Sequence, residues 1–182
     1  MLFWSIQMHD IADPIDTVQI SESLIRRFDR SGPRYTSYPT ADRFVDNFST
    51  QHYITALEIR QQVVSLPDYS VYIHVPFCQS LCYFCACNKI ITQDRSRSAA
   101  YVDTVLQELQ LLEPYLGANR LTGQLHLGGG TPTFLASTDL EKLLKNLRQH
   151  FDFNTQAELG IEIDPRTLQE NSLDFLADLG FN

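Results

Sequence analysis

The feature that most constrains the fold is an alternation of strand patterns and helix patterns between residues 69 and 182. Runs rich in β-branched and aromatic residues, typical of strands, alternate with amphipathic runs of helical period. The strand patterns are residues 69–75, the run GQLHL before the glycines and residues 157–164, and the helix patterns are residues 98–116, 137–151 and 167–182. Three strand–loop–helix units in series predict parallel strands joined by helical crossovers. We expect an α/β fold, the front part of a longer parallel (β/α) barrel, because three strands alone leave a free edge.

The chain before residue 69 has a different character. Helical patterns over residues 16–29 and 49–65 flank the irregular run RSGPRYTSYPTADRF, which is rich in proline and hydroxyl residues. We therefore divide the chain into an N-terminal helical and extended segment, residues 1–68, and a truncated first half of a barrel, residues 69–182.

Charge and hydropathy limit the function classes. A net charge of -8 argues against a large nucleic-acid surface, and no run of about 20 apolar residues predicts a membrane span. The opening MLFWSIQMHD lacks the basic leading region and cleavage site of a secretion signal, so we expect a cytoplasmic protein. Both Met1 and Met8 are candidate starts, and the sequence leaves that choice open.

All four cysteines lie in one short loop pattern, C-x3-C-x2-C-x-C, formed by Cys78, Cys82, Cys85 and Cys87. In a reducing compartment such a cluster of thiols is more typical of metal or redox chemistry than of disulfides. Three thiolates on a loop can hold an iron–sulfur cluster and leave one iron open to a small molecule. A structural zinc site and a four-cysteine electron-transfer cluster are the alternatives, although zinc usually draws two separated pairs of ligands.

Two further motifs follow the other strand patterns. The run GGGTP contains Gly129, Gly130 and Thr131, where glycine lets the backbone approach a ligand and present amide donors. In EIDPR, alternation places Glu162 on the inner face of a strand as a buried carboxylate that needs partners. Tyr72 alternates in the same way, whereas His74 is predicted to be structural. Because parallel strands end at one edge of a sheet, we expect all three motifs to meet there.

These motifs belong to longer strings that resemble a known family. RYTSYPTADRF, YIHVPFC, LCYFCACNKI, LHLGGGTPT and IEIDPR are similar to the oxygen-independent coproporphyrinogen III oxidases, which are radical S-adenosylmethionine (SAM) enzymes. The resemblance runs from about Arg34 to the end of the chain. It implies a partial radical SAM barrel and the oxidative decarboxylation of coproporphyrinogen III to protoporphyrinogen IX in heme biosynthesis. A related heme chaperone without oxidase activity is the alternative, but those relatives generally lack the fourth cysteine and RYTSYPT.

The resemblance also implies roles for individual residues. Cys78, Cys82 and Cys85 would hold a [4Fe-4S] cluster whose open iron binds SAM, and the resulting 5'-deoxyadenosyl radical would take hydrogen from a substrate propionate. Two SAM molecules would bind per active site, the second beside Phe84, Gly130 and Thr131. The SAM contacts implied in total are Tyr72, Phe84, Gly129, Gly130, Thr131 and Glu162. No side chain is assigned a catalytic step, since the cluster and SAM carry the chemistry, while Cys87 and Arg34 are expected next to the site.

The partners implied are coproporphyrinogen III, an electron donor and an electron acceptor, with no nucleic acid and a monomeric state for the full-length protein. The substrate carries four carboxylates, so the front segment could supply cations or simply a solvated basic face. Its arginines are Arg26, Arg27, Arg30, Arg34 and Arg43. Since the family continues well beyond this C-terminus, we expect the isolated chain to be inactive or nearly so.

Overall fold

The structure is a computed structural model that describes residues 21–29, 43–63, 65–169 and 172–182. The chain divides into two compact units, the larger of which contains residues 56–182 and the smaller lies within residues 7–55. In the smaller unit, helix α1 spans Glu22–Phe28 and is capped by the Ser21 hydroxyl, which accepts a hydrogen bond from the Leu24 amide at 3.2 Å. The helix start predicted at residue 16 lies outside the described residues.

The larger unit is built on a three-stranded parallel sheet. Its strands are β1 (Tyr69–Val75), β4 (Leu121–Gly129) and β5 (Asp152–Ile161), in the order β1-β4-β5. Ile73 pairs with Leu127, which pairs in turn with Ile161, so the three strands share a row of apolar residues. Between β1 and β4 the short strands β2 (Phe77–Cys78) and β3 (Ile90–Ile91) form a separate parallel pair. The parallel order confirms the expectation of an α/β fold with helical crossovers.

Helices supply the rest of the core. They are α2 (Thr50–Gln61), α3 (Arg97–Leu112), α4 (Ser137–His150) and α5 (Ser172–Asp178). The first residues of α2 belong to the smaller unit, which ends at residue 55. In β1, Val71, Ile73 and Val75 are buried with the apolar faces of the helices, whereas the alternate residues are half-buried. One face of the sheet is thereby packed, and the other carries polar side chains. Among the described residues, no helix is both long and apolar enough to cross a membrane.

The third strand differs from its predicted range of 157–164 at both ends. It begins at Asp152, because backbone pairing with Leu121 and Thr122 of β4 extends it through the polar run DFNTQ. It ends at Ile161. One further backbone hydrogen bond follows the strand, from Glu162 N to Leu127 O at 2.9 Å. Ile163 is therefore 40% exposed rather than packed under a helix. The final helix is also shorter than the predicted range of 167–182, because it ends at Asp178, just before Gly180, whose φ is +91°.

Candidate functional site

The three predicted motifs meet at the carboxyl ends of β1, β4 and β5, as the parallel topology requires. Backbone bonds join two of them directly: Gly130 N donates to Val75 O at 2.7 Å, and Thr131 N donates to Phe77 O at 2.8 Å. The third motif joins through Glu162, whose Oε2 accepts from Gly129 N at 3.0 Å. The glycine run therefore lies between the cysteine loop and the end of β5.

The cysteine loop is closed at its base and open at its tip. At the base, Ile90 N donates to Pro76 O at 2.8 Å and Thr92 N donates to Cys78 O at 2.9 Å, which pairs β2 with β3. At the tip, Tyr83 and Phe84 are almost fully exposed, so Phe84 makes no packed contact with the glycine run. The β2–β3 pair was not predicted, since a two-residue strand has no readable period.

The four thiols are free and differ in exposure. Cys78 and Cys85 are half-buried, whereas Cys82 and Cys87 are exposed. The Thr131 hydroxyl lies 3.7 Å from Cys78 Sγ and donates to it, which ties the first cysteine to the glycine motif. Partial desolvation raises the pKa of the Cys87 thiol, and the neighbouring Cys85 and Glu162 raise it further.

The glycines are required by close contacts of the backbone. Gly129 has a φ of +109°, and a Cβ there would lie 2.5 Å from the His74 ring. A Cβ on Gly130 would lie 2.7 Å from Phe77 O, which is backbone and cannot swing away. However, the amides of residues 129, 130 and 131 all donate to protein acceptors. The expectation that the glycine run presents free amide donors is therefore wrong, because the loop uses them to hold itself in place.

A row of polar side chains crosses the half-buried face of the sheet, opposite the apolar core. His74 Nε2 lies 2.8 Å from the Asn88 carbonyl and donates to it, which leaves Nδ1 to accept from the Tyr72 hydroxyl at 3.0 Å. The Tyr72 ring stacks on His126 with centroids 5.9 Å apart, and His126 Nε2 lies 3.4 Å from Glu162 Oε1. Burial raises the pKa of Tyr72, and the Glu162 carboxylate adds to that rise.

The positions of His74 and Glu162 in this row can be compared with the roles predicted for them. His74 does bridge β1 to the cysteine loop, in line with a structural role. Glu162 is not the buried carboxylate that was expected: its side chain is 49% exposed, because β5 ends one residue earlier at the edge of the sheet. His126 was not singled out from the sequence, although its alternation with the buried Leu125 and Leu127 already placed it on the face of Tyr72.

A second unpredicted residue lies at the end of EIDPR. The Arg166 guanidinium bonds both carboxylate oxygens of Asp164, at 2.9 and 2.7 Å, and also lies 3.8 Å from Cys82 Sγ. The hydrogen bonds from Arg166 lower the pKa of the Asp164 carboxyl and so keep it ionised. Asp164 thus holds an arginine beside the cysteine loop, while Arg34 lies outside the described residues.

The donor chemistry of the cysteine loop fits an iron–sulfur cluster. Among the described residues, no group of three His, Cys, Asp or Glu side chains is arranged to hold one ion. A cubic cluster instead places each thiolate on a different iron, and Cys78, Cys82 and Cys85 supply three soft sulfur donors from one exposed loop. Two of these sulfurs already receive hydrogen bonds, from Thr131 and Arg166, as thiolate ligands of clusters commonly do.

Comparison with known proteins gives the family. Residues 72–182 match the model of the radical SAM superfamily. An oxygen-independent coproporphyrinogen III oxidase of Mannheimia haemolytica is 43% identical over 145 residues, which are 79% of this chain and 94% of the relative. The chain belongs to the radical SAM superfamily, in the family of the oxygen-independent coproporphyrinogen III oxidases.

Other members of the coproporphyrinogen III oxidase family are much longer than this chain. The enzyme of Pseudomonas aeruginosa is 43% identical over 170 residues, which are 92% of this chain but 36% of that protein. The solved structure of the Escherichia coli coproporphyrinogen III oxidase, a radical SAM enzyme, matches with a TM-score of 0.71 and 43% identity, covering 81% of this chain and 33% of that one. The chain thus spans about a third of the length of these two relatives, and the fold described above is that of a partial radical SAM barrel.

Proposed function

We propose that this chain carries the cluster and SAM site of an oxygen-independent coproporphyrinogen III oxidase, which converts coproporphyrinogen III to protoporphyrinogen IX in heme biosynthesis. The observation that carries the proposal is the connection of the three-cysteine loop to the GGGTP run, through the Thr131–Cys78 contact and the Gly130–Val75 bond. In a chain of this family, these are the two motifs that a cluster and its SAM need side by side. The relatives named above all carry the oxidase name, and none of them supports the heme-chaperone alternative.

In this proposal Cys78, Cys82 and Cys85 hold a [4Fe-4S] cluster as thiolates and leave one iron free of protein ligands. When bound, the cluster would supply a single low-potential electron for cleavage of the SAM sulfonium bond. The chain's own contribution is to fix the loop: Thr131 and Arg166 hold two of the sulfurs, and the β2–β3 pair closes the base. Cys87, whose thiol pKa is raised, is proposed as a neighbour of the site rather than a ligand.

The SAM-facing surface is proposed to be the polar face of the sheet. Tyr72, Gly129 and Glu162 share that face with the glycine backbone. With its amides already bonded, the glycine run can offer a ligand close approach of the chain and carbonyl oxygens, while the half-exposed Glu162 can accept from hydroxyl or amino groups. A second SAM beside Phe84, Gly130 and Thr131 is part of the proposal, and the exposed ring of Phe84 supports it by leaving an aromatic surface free.

The proposed partners are coproporphyrinogen III, an electron donor and an electron acceptor. Two propionate side chains of the substrate would each lose one hydrogen atom and carbon dioxide and become vinyl groups, with the remaining electron passing to the acceptor. Cations for the four substrate carboxylates are not assigned, and within the smaller unit Arg26 pairs with Glu22 at 2.6 Å. A cytoplasmic location and a monomeric full-length state belong to the same proposal, and the four free thiols agree with a reducing compartment.

The test is anaerobic reconstitution of the chain with iron and sulfide. We expect about four irons per chain, a brown colour and an electron paramagnetic resonance signal that changes when SAM is added. Cys82→Ser should lose the cluster, whereas the matched variant Cys87→Ser should keep it. A single tightly bound zinc, or equal loss in both variants, would overturn the three-thiolate site. Conversion of coproporphyrinogen III is then assayed with SAM and a reductant, and heme binding without any conversion would favour the chaperone class.

A further inference from the structure

The exposed cysteine loop has one cationic contact to sulfur among the described residues. Arg166 Nη2 lies 3.8 Å from Cys82 Sγ and 3.4 Å from Ser80 Oγ, although Arg166 is more than 80 positions further along the chain. The loop tip around Cys82 is otherwise exposed, and its aromatic neighbours Tyr83 and Phe84 are not packed. The contact from Arg166 is thus a tie between the loop tip and the end of β5.

Hydrogen bonds to Asp164 fix the position of the Arg166 guanidinium that contacts the Cys82 sulfur. Asp164 Oδ1 accepts from the Arg166 amide at 3.0 Å and from Arg166 Nε at 2.9 Å, and Oδ2 accepts from Nη2 at 2.7 Å. The Asp164 side chain is only 17% exposed, so the anchor of this ion pair lies in the protein while the guanidinium, 61% exposed, points outward. A planar guanidinium fixed on two oxygens still has donors left for a third partner.

We propose that Arg166 is a positioning residue for the iron–sulfur cluster: its guanidinium donates a charge-assisted hydrogen bond to the Cys82 sulfur, holds the loop tip, and makes the bound cluster easier to reduce. The inference rests on the proposed function, because it concerns the same cysteine site. Hydrogen bonds to cluster sulfurs are one of the factors that set reduction potential. A donor with positive charge stabilises the reduced cluster, which is the more negative form, more than it stabilises the oxidised one.

The neighbouring residues Thr131, Asp164 and Ser80 are not expected to have the same effect on the reduction potential as Arg166. The Thr131 hydroxyl reaches Cys78, but it is neutral and belongs to a different strand end. The Asp164 carboxylate offsets part of the arginine charge, so the expected effect is smaller than that of a bare cation. Ser80 contacts the same guanidinium nitrogen, and its hydroxyl makes no hydrogen bond to a sulfur of the described residues, so Ser80→Ala is a matched control.

The experiment compares reconstituted wild type, Arg166→Gln and Ser80→Ala by iron content and by a redox titration monitored by electron paramagnetic resonance. In Arg166→Gln, the ratio of reduced to oxidised cluster at a fixed potential should fall about tenfold, equivalent to about 59 mV for a one-electron couple. Ser80→Ala should match wild type in both measurements. Loss of iron in Arg166→Gln alone, with an unchanged circular dichroism spectrum, would also support a positioning role, because it shows that the loop no longer holds the cluster.

Unchanged iron content and unchanged potential in Arg166→Gln would overturn the inference and leave the proposed function standing. An equal shift in Ser80→Ala would overturn it too, since the effect would then be one of loop disturbance. If Arg166→Gln does not fold, Arg166→Lys carries the test: it keeps the charge but not the two-oxygen bond, so it should lose iron or shift the ratio in the same direction. Failure of the wild-type chain to bind any cluster would instead refute the proposed function itself.

Discussion

Substitution of the third glycine in the GGGTP run tests the geometry of the site most directly. In Gly130→Ala, the new methyl group would lie 2.7 Å from Phe77 O and 2.8 Å from Pro76 C, both of which are backbone atoms. An ordinary contact begins near 3.4 Å, so the two segments would have to separate by about 0.7 Å, the difference between 3.4 and 2.7 Å. No rotation of a side chain can relieve this contact.

The structure sets the cost of that separation. Phe77 O accepts from Thr131 N at 2.8 Å, and Gly130 N donates to Val75 O at 2.7 Å, so moving the segments apart stretches both bonds. Overpacking of this kind costs about 1–3 kcal/mol, and a weakened hydrogen bond adds about 0.5–1.5 kcal/mol. We therefore expect a loss of about 1.5–4.5 kcal/mol in the free energy of unfolding, and a fall in Tm of roughly 3–18 °C for a chain of this size.

The assay is urea unfolding of the metal-free chain followed by circular dichroism, with Gly123→Ala as the control. Gly123 lies within β4, the strand that ends just before Gly130, but a Cβ there would meet Asp68 Oδ2 at 3.4 Å and Asp68 Cβ at 3.5 Å, which are ordinary contacts. The control should change stability by less than about 1 kcal/mol, and it could gain from the stiffer backbone. Equal midpoints for wild type and Gly130→Ala, or an equal loss in the control, would refute the close approach of the two segments.

Two further substitutions test the core and the support beneath the site. Leu143 of α4 is completely buried, so Leu143→Ala should lower the free energy of unfolding in urea by about 2–5 kcal/mol. The control Leu111→Ala, at a residue that is 74% exposed, should change stability by less than about 0.5 kcal/mol. Equal effects of the two substitutions would place Leu143 outside the core. Burial raises the pKa of Tyr101, whose hydroxyl donates to His74 O at 2.7 Å. As pH rises, the unfolded chain loses the Tyr101 proton before the folded chain does, so stability should fall above about pH 10. Urea unfolding at pH 9, 10 and 11 should show a shallower fall in Tyr101→Phe than in the wild type. An identical slope in both proteins would contradict a buried phenol.

The elements that could be predicted are those whose burial is repeated along the chain. In β1 every second residue of Tyr69–Val75 is buried, which matches the β-branched and aromatic pattern of the sequence. In α4, Leu140, Leu143, Leu144 and Leu147 form one apolar stripe at helical spacing. Because both patterns arise from contact with one core, the parallel arrangement of the strands and the common edge of the three motifs could also be inferred.

The beginning of β5 could not be predicted for the opposite reason. Residues 152–156 read DFNTQ, and only Phe153 among them is apolar. They are a strand because their backbone pairs with the start of β4, where Leu121 lies opposite Asp152 and Thr122 opposite Phe153. Backbone pairing of this kind depends on the position of a neighbouring strand, and the side-chain period does not record it.

In the candidate site, too, some side chains could be predicted from the sequence and others could not. The cysteine spacing indicates a metal or cluster site, and the resemblance to the family implies Cys78, Cys82 and Cys85 as its donor set. Which groups hold those sulfurs depends on strand ends that are distant in sequence, as for Arg166 and Cys82. A family of proteins can therefore share its ligands and still differ in cluster potential through residues outside the cysteine loop. If substitution of Arg166 changes that potential while the three thiolates are untouched, the control of the chemistry lies partly in the end of β5.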